Sequence, residues 1–164
     1  MSGATIVVLA FLAFVAITIF KGVRIVPQGY KWIVQRLGKY HTVLEPGLNF
    51  VIPYIDEVAY KVTTKDIVLD IPSQEVITRD NAVLVMNAVA YINITTPVNA
   101  VYGIENYSWA IQNLVQTSLR SIVGEMDLDD ALSSRDHIKA RLKASISDDI
   151  ADWGITLKTV EIQD

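Results

Sequence analysis

Residues Asp70 to Val83, DIPSQEVITRDNAV, gather three carboxylates, one arginine and two hydroxyls into fourteen positions. Carboxylates are the raw material of acid–base chemistry, so the region Asp70 to Asp80 supports one reading of the chain as a membrane-anchored enzyme or accessory subunit. An active site also needs groups that converge from several parts of a chain, and the other candidates are sparse. His41 and His137 lie at no recognised metal-site spacing from another good ligand. Ser134, Asp136 and His137 are neighbours in sequence, but adjacent helical positions diverge by about 100°, which prevents a nucleophile–base–acid line. The HEXXH, Walker, GxGxxG and GxSxG patterns are absent. No residue is therefore singled out as catalytic, as a metal ligand or as a contact for a cofactor, and the carboxylate reading stays open.

Composition narrows the classes further. Without cysteine there are no disulfides, no thiolate nucleophile and no cysteine-bound zinc or iron–sulfur site. The 164 residues suit one domain of ordinary size. A net charge of −4 repels a phosphate backbone, so nucleic acid is not an expected partner. The charge is also unevenly placed. Met1 to Phe20 carry no ionisable side chain, Lys21 to Leu44 carry five bases and no acid, and Glu125 to Asp164 carry ten acids against five bases.

The apolar run Gly3 to Phe20 would reach roughly 27 Å as a helix, close to the hydrocarbon thickness of a bilayer. Eleven of its residues are Ile, Val, Leu or Phe, which favours insertion by about 3 to 7 kcal/mol on the translocon scale. It lacks the basic start and small-residue cleavage site of a signal peptide and runs straight into Lys21, so a retained anchor over 1–22 is expected. No proline precedes Pro27, which argues against a membrane hairpin. Since the flanking bases all follow the span, the amino terminus is expected outside and the carboxy-terminal domain in the cytoplasm. Lys21 and Arg24 are placed to meet anionic head groups, at about 1 kcal/mol each, or serve simply as a topology signal. The sequons at Asn93 and Asn106 would then go unused.

Beyond residue 23, β-branched and aromatic runs broken by Pro27, Gly29, Gly38, Pro46, Gly47 and Pro53 predict short strands near 24–27, 31–37, 40–44 and 48–52. The same pattern continues over 57–70 and 74–78. Val83 to Thr95 alternates Leu84, Met86, Ala88, Ala90, Ile92 and Ile94 with Asn87, Tyr91 and Asn93, the period of a half-buried strand.

After Pro97 the period becomes helical. Ile111, Leu114, Val115, Leu119 and Ile122 share one side, opposite Gln112, Asn113, Gln116 and Arg120, and Gly124 ends the helix. A second helix is capped by Ser133 or Ser134, carries Ile138, Leu142, Ile146 and Ile150, and stops at Gly154. The final segment returns to strand composition. Strands followed by helices argue for an α+β fold, here a domain over 23–164 with a possible subdomain break near 78–96.

The second helix has bases in its first half (Arg135, Lys139, Arg141, Lys143) and acids in its last (Asp148, Asp149, Asp152), the reverse of what the helix dipole favours. Either the face is merely solvated, or these residues pair head to tail with neighbouring subunits on a face lightened by Ala140, Ala144 and Ala151.

Taken together and in order, VPQGYKWIVQRLGKY, PGLNFVIPYID, DIPSQEVITRDNAVLVMNAVAYINI, LRSIVGEMDLDDALSSRD and WGITLKTVEIQD resemble the stomatin, prohibitin, flotillin and HflK/C superfamily, the SPFH or band 7 domain, and most of all its stomatin-like paraslipin branch. The resemblance covers nearly all of 23–164. It implies a non-enzymatic, homo-oligomeric membrane scaffold whose subunits associate side by side into large rings or cages. Such a scaffold encloses a membrane microdomain, with lipids as partners and membrane proteins such as an AAA protease as clients in membrane protein quality control.

In that light Asp70 to Val83 is a strand, a TRDN turn and the start of the long strand. Thr78, Asp80 and Asn81 then serve the turn. Glu75, Arg79, Arg120 and Arg135 are divided between intrachain pairing and subunit contact. The family continues past VEIQD with a long alanine- and glutamate-rich helix, whereas this sequence stops at Asp164. The expectation is accordingly of a fragment, or of a chain lacking the helix that supports a cage.

Overall fold

The computed structural model describes residues 2–163. The apolar run forms α1, Gly3–Gly22, started by Ser2, whose side chain accepts from the Thr5 N–H. There follow β1, Val23–Val26; β2, Tyr30–Arg36; β3, Lys39–Leu44; β4, Gly47–Phe50; and β5, Asp56–Thr63. Then come β6, Ile67–Ile77; β7, Val83–Ile94; α2, Pro97–Tyr102; α3, Tyr107–Gly124; α4, Leu128–Ser133; α5, Arg135–Ala151; and β8, Ile155–Gln163. The architecture is α+β, as the order of periodicities requires.

The chain divides into two compact units, at Thr63/Thr64. The division precedes the 78–96 region in which a break was anticipated. The reason is that β7 is the central strand of the second unit's sheet and cannot separate from its neighbours. The strand-like stretch 57–70 holds most of β5 and the start of β6, with the boundary between the units between them.

In the first unit β1 pairs with β4 and β2 lies between β3 and β5, all antiparallel. Val26, Val34, Leu44 and Val51 are buried together, with Tyr30, Trp32 and Val58 packed on them. The chain leaves α1 at Gly22, whose carbonyl accepts from Val51 N–H at 2.8 Å. A Cβ at Gly22 would sit 2.6 Å from the Val51 carbonyl oxygen, so the helix end and β4 are held together by an approach that only glycine permits.

An ion pair with a buried carboxylate joins Arg36 on β2 to Asp56 on β5, bidentate at 2.8 and 3.2 Å. The Asp56 side chain is 3% exposed and also accepts from Ile52 N–H at 3.0 Å. The Arg36 bonds hold its carboxyl down at about 2, against the opposing effect of burial. Because the folded value lies below the unfolded value of about 3.9, this stabilisation is complete above pH 4 and is lost as the pH falls toward 2. Asp56→Asn is expected to cost about 2 kcal/mol through the lost charge-assisted bonds. It should also flatten the acid limb of stability between pH 4 and 2, as read by denaturant unfolding of the solubilised protein at several pH values.

In the second unit β7 pairs with β6 on one side and β8 on the other, all antiparallel. Met86, Ala88, Ala90, Ile92 and Ile94 face inward, on the parity expected, while Leu84 is only half-buried. β6 runs unbroken through residues 72 and 73, taking up Pro72 in a register shift between Ile71 and Gln74. α3 and α5 cover the inward face with Ile111, Val115, Leu119, Ile138, Leu142, Ile146 and Ile150, each fully buried and contributing about 1.5–3 kcal/mol. Leu114, expected on that stripe, is half-buried. Ser134 occupies the start of α5 without a side-chain capping bond, and Ser133 Oγ donates instead to the Asp129 carbonyl. The short helices α2 and α4 were not anticipated, since six residues are too few to display a period.

Candidate functional site: a membrane-contact surface and the residues proposed for chemistry or assembly

The carboxylates of the opening stretch do not converge. Asp70 pairs in register with Val89 and Glu75 with Val85, so both carboxylates lie on the outer face of the sheet, four residues apart along β7. That is about 13 Å, beyond the roughly 5–9.5 Å over which paired carboxylates act on one bond. The rest of the stretch builds a turn. The buried Thr78 donates from Oγ1 to Asp80 Oδ1 at 2.5 Å and accepts from Ala82 N–H at 3.1 Å, and Asn81 adopts a left-handed conformation. Those bonds, the Thr78 hydroxyl first, hold the Asp80 carboxyl below the usual carboxylate range.

The turn also grips the segment before α4. Arg79 N–H donates to the Met126 carbonyl, the Arg79 guanidinium makes a two-pronged bond to Asp127 at 3.1 and 2.8 Å, and Asp80 Oδ1 accepts from Leu128 N–H at 3.3 Å. Asp127, which could have capped α4, is drawn to Arg79, and Asp80 serves the first turn of α4 in its place. The stretch is dense in polar groups because it clasps two parts of the fold.

The residues considered for subunit contact divide in the same way. Arg120 donates to Gln74 Oε1, Gln74 in turn to the Gln116 carbonyl, and Gln112 to the Asp70 carbonyl. The polar stripe of α3 therefore bonds to β6, reaching one of its main-chain carbonyls and the Gln74 side chain. The reversed charges of α5 have a matching cause on the other edge. Lys139 bonds Glu161 at 2.6 Å and Lys143 reaches the Lys158 carbonyl at 3.3 Å, both on β8, while Arg141 bonds Glu125 at 2.8 Å. Lys139 holds the Glu161 carboxyl below its ordinary range. Arg135 is exposed but not free of interaction. Glu75, Asp148, Asp149 and Asp152 are exposed, and no ion pair engages them among the described residues.

A surface of a different kind adjoins α1. That helix has a mean hydropathy of 2.6 and shows its apolar side chains outward along its whole length. On the β1–β4 ribbon, Ile25 lies opposite Leu48 and Val23 opposite Phe50, so these four share one face. Ile25, Leu48 and Phe50 are 65–70% exposed. Phe20 of α1 lines a hollow of about 350 Å³ with Val23 and Ile25, making helix and ribbon one apolar surface. Beyond β4, Ile52 and Tyr54 are exposed as well. The Tyr54 ring stacks on Phe14 of α1, with centroids 6.3 Å apart and planes 4° from parallel, and its hydroxyl lies 3.5 Å from Thr18 Oγ1. Only the end of α1 hints at this surface in sequence, because the ribbon's alternation is too short to distinguish an outward apolar face from an inward one.

Of the two bases at the helix end, Lys21 is exposed. Arg24 is half-buried, and its guanidinium donates to the Lys21 and Val23 carbonyls at 2.6 and 3.1 Å. It thereby satisfies carbonyls that the helix end leaves open. The apolar helix and its adjoining surface point to membrane association.

Comparison with known proteins agrees with this geometry. The chain is 38% identical over 139 residues to the mitochondrial stomatin-like protein 2 of Homo sapiens, covering 85% of this chain and 39% of that protein. It is 37% identical over 142 residues to the stomatin-like protein stl-1 of Caenorhabditis elegans, covering 87% and 44% respectively. An uncharacterized protein of Methanocaldococcus jannaschii is 39% identical over 146 residues, 89% of this chain and 73% of its own length. The chain spans about two fifths of the length of the stomatin-like proteins it matches. Residues 24–164 match the family described as SPFH domain / Band 7, and the chain belongs to that family, on its stomatin-like side.

Proposed function

We propose that the chain is a non-enzymatic membrane scaffold, anchored by α1 and held down on the bilayer by the apolar ribbon beside it, whose copies associate laterally to organise a membrane microdomain. The observation that carries the reading is the continuity of Phe20, Val23, Ile25, Leu48 and Phe50, which extends the lipid-preferring surface of α1 onto the globular part. Leaving so much aliphatic and aromatic area in water is unfavourable by about 25 cal/mol per Å², and a bilayer surface covers it. With the bases Lys21 and Arg24 following the span, the globular part lies on the cytoplasmic side and the amino terminus outside. Lys21 meets anionic lipid there. Rings or cages, and the sequestering of membrane proteins such as an AAA protease, are what this reading implies at the level of the assembly.

The absence of cysteine makes a clean test possible. Phe50→Cys, labelled with an environment-sensitive fluorophore and reconstituted into vesicles, is expected to emit as in an apolar medium and to be quenched by spin-labelled lipids. A label on Ser133→Cys should emit as in water. Water-like emission at both positions would refute contact by the ribbon, and a single-copy species on sizing of the solubilised protein would refute the scaffold.

A further inference from the structure

Tyr54 fixes how far the first unit reaches along α1. Its ring stacks on Phe14, and its hydroxyl lies 3.5 Å from Thr18 Oγ1, which itself donates to the Phe14 carbonyl at 2.9 Å. From Ser2 to Lys21, Thr18 alone is not exposed. Phe14 precedes the helix end at Gly22 by about 12 Å of helix, and Thr18 precedes it by about 6 Å. The 20 residues of α1 make about 30 Å, the whole of a hydrocarbon core and no more. If the bilayer ended at Phe14, the part of the helix left to cross it would cover only about 18 Å. When α1 spans, Tyr54 therefore lies inside the hydrocarbon.

The segment that carries Tyr54 suits that depth. Residues 51–55, VIPYI, hold no charge, and Ile52 and Tyr54 are 47% and 61% exposed. The backbone of the segment is bonded inward. Val51 N–H donates to the Gly22 carbonyl, Ile52 N–H to Asp56 Oδ2 and Ile55 N–H to the Ile52 carbonyl, while Pro53 has no N–H to satisfy. The Ile55 carbonyl accepts from Leu37 N–H at 3.0 Å. Irregular backbone is tolerated at membrane depth only where protein meets its polar groups in this way. The carboxylate next in the chain, Asp56, is 3% exposed and held by Arg36. The first half of α1 has no such companion, every residue from Gly3 to Ala13 being exposed.

We propose that residues 50–55 enter the leaflet at the Gly22 end of α1 as a wedge, and that the chain consequently gathers where that leaflet is convex. The inference rests on the membrane reading above and names the shape of lipid surface that the protein selects. In one leaflet lipid is displaced by α1 alone, a cylinder about 10 Å across. In the other, the exposed Phe50, Ile52 and Tyr54 are added to that cylinder. Curving the membrane toward the wedge spreads the head groups of its leaflet and makes room for the added side chains, so insertion on one side alone is sensitive to curvature.

Depth is read with a polarity-sensitive label on Ile52→Cys, in vesicles whose lipids are spin-labelled at different heights along the acyl chain. Quenching is expected at the same height as for a label on Ile17→Cys, which lies between Phe14 and Thr18 on α1. Quenching at head-group height overturns the wedge. Contact by the ribbon survives that result if the Phe50 label still reports an apolar medium, whereas water at both positions removes the membrane reading with it. Curvature is read with Ser133→Cys in giant vesicles, labelled from outside by an impermeant dye so that only copies with the globular part outward are seen. On a membrane tube drawn from the vesicle, the ratio of protein to lipid dye is expected to exceed that on the parent vesicle and to rise as the tube narrows. Ile52→Ser with Tyr54→Ser, both at exposed side chains, should abolish the enrichment, and Tyr54→Phe, which keeps the ring, should retain it. Equal ratios in the unaltered chain, or undiminished enrichment in the doubly altered one, overturn the proposal.

Discussion

Gly154→Ala is expected to destabilise the second unit by about 3–5 kcal/mol, among the largest effects a single methyl group can have. Gly154 stands between α5 and β8 with φ of +68°, where an L-residue costs about 1–2 kcal/mol by itself. The added Cβ would also press on the Thr96 carbonyl oxygen and lie 2.7 Å from Thr96 Cβ. Neither neighbour can retreat cheaply. The Gly154 carbonyl accepts from Thr95 N–H, Thr96 N–H and Thr95 Oγ1 at 2.8, 2.9 and 2.9 Å, so the end of β7 and the start of α2 are fastened to the same residue. Denaturant unfolding followed by tryptophan fluorescence measures the loss. Gly38→Ala is the control: it has the same kind of φ but open space around it, and should cost only the backbone part, about 1 kcal/mol. Equal losses at the two positions would show that crowding at Thr96 contributes nothing.

The second large effect concerns α1. Leu9→Arg together with Leu12→Arg exchanges two favourable residues for two that each oppose insertion, a change of about 3–4 kcal/mol apiece. That roughly cancels the 3–7 kcal/mol by which the apolar run favours the bilayer. The doubly altered chain is expected to be released from membranes by alkaline carbonate, while the unaltered chain stays with the lipid. Retention of the altered chain would mean that the ribbon of Ile25, Leu48 and Phe50 suffices for anchoring, an outcome that separates the two halves of the membrane surface.

Much of the fold was legible because it depends on local patterns. An uncharged run of eighteen residues, a two-residue alternation from Leu84 to Ile94, and Ile138, Leu142, Ile146 and Ile150 at four-residue intervals each state an environment that neighbouring positions alone can specify. The family was legible for a similar reason, its motifs being spread in order along 24–164.

What the sequence could not disclose was where polar side chains spend their hydrogen bonds, since that depends on which segments meet. Gln112, Gln116 and Arg120 read only as the polar side of a helix until β6 is placed beside α3, and Lys139 and Lys143 as bases at the wrong end of a dipole until β8 is placed beside α5. Arg79 and Asp127 are 48 residues apart and become partners only through the turn at Thr78. The division at Thr63/Thr64 and the outward apolar face of the β1–β4 ribbon belong to the same category. By itself, then, the sequence determined the apolar amino-terminal helix, the α+β order of elements and the buried stripes, because these are encoded by composition and periodicity along one segment. Only the tertiary structure decided the clasp at Asp70–Val83, the bonds from α3 and α5 to β6 and β8, and the outward apolar face of the β1–β4 ribbon, because pairing between distant polar groups, and the direction a short strand faces, are properties of the assembled chain.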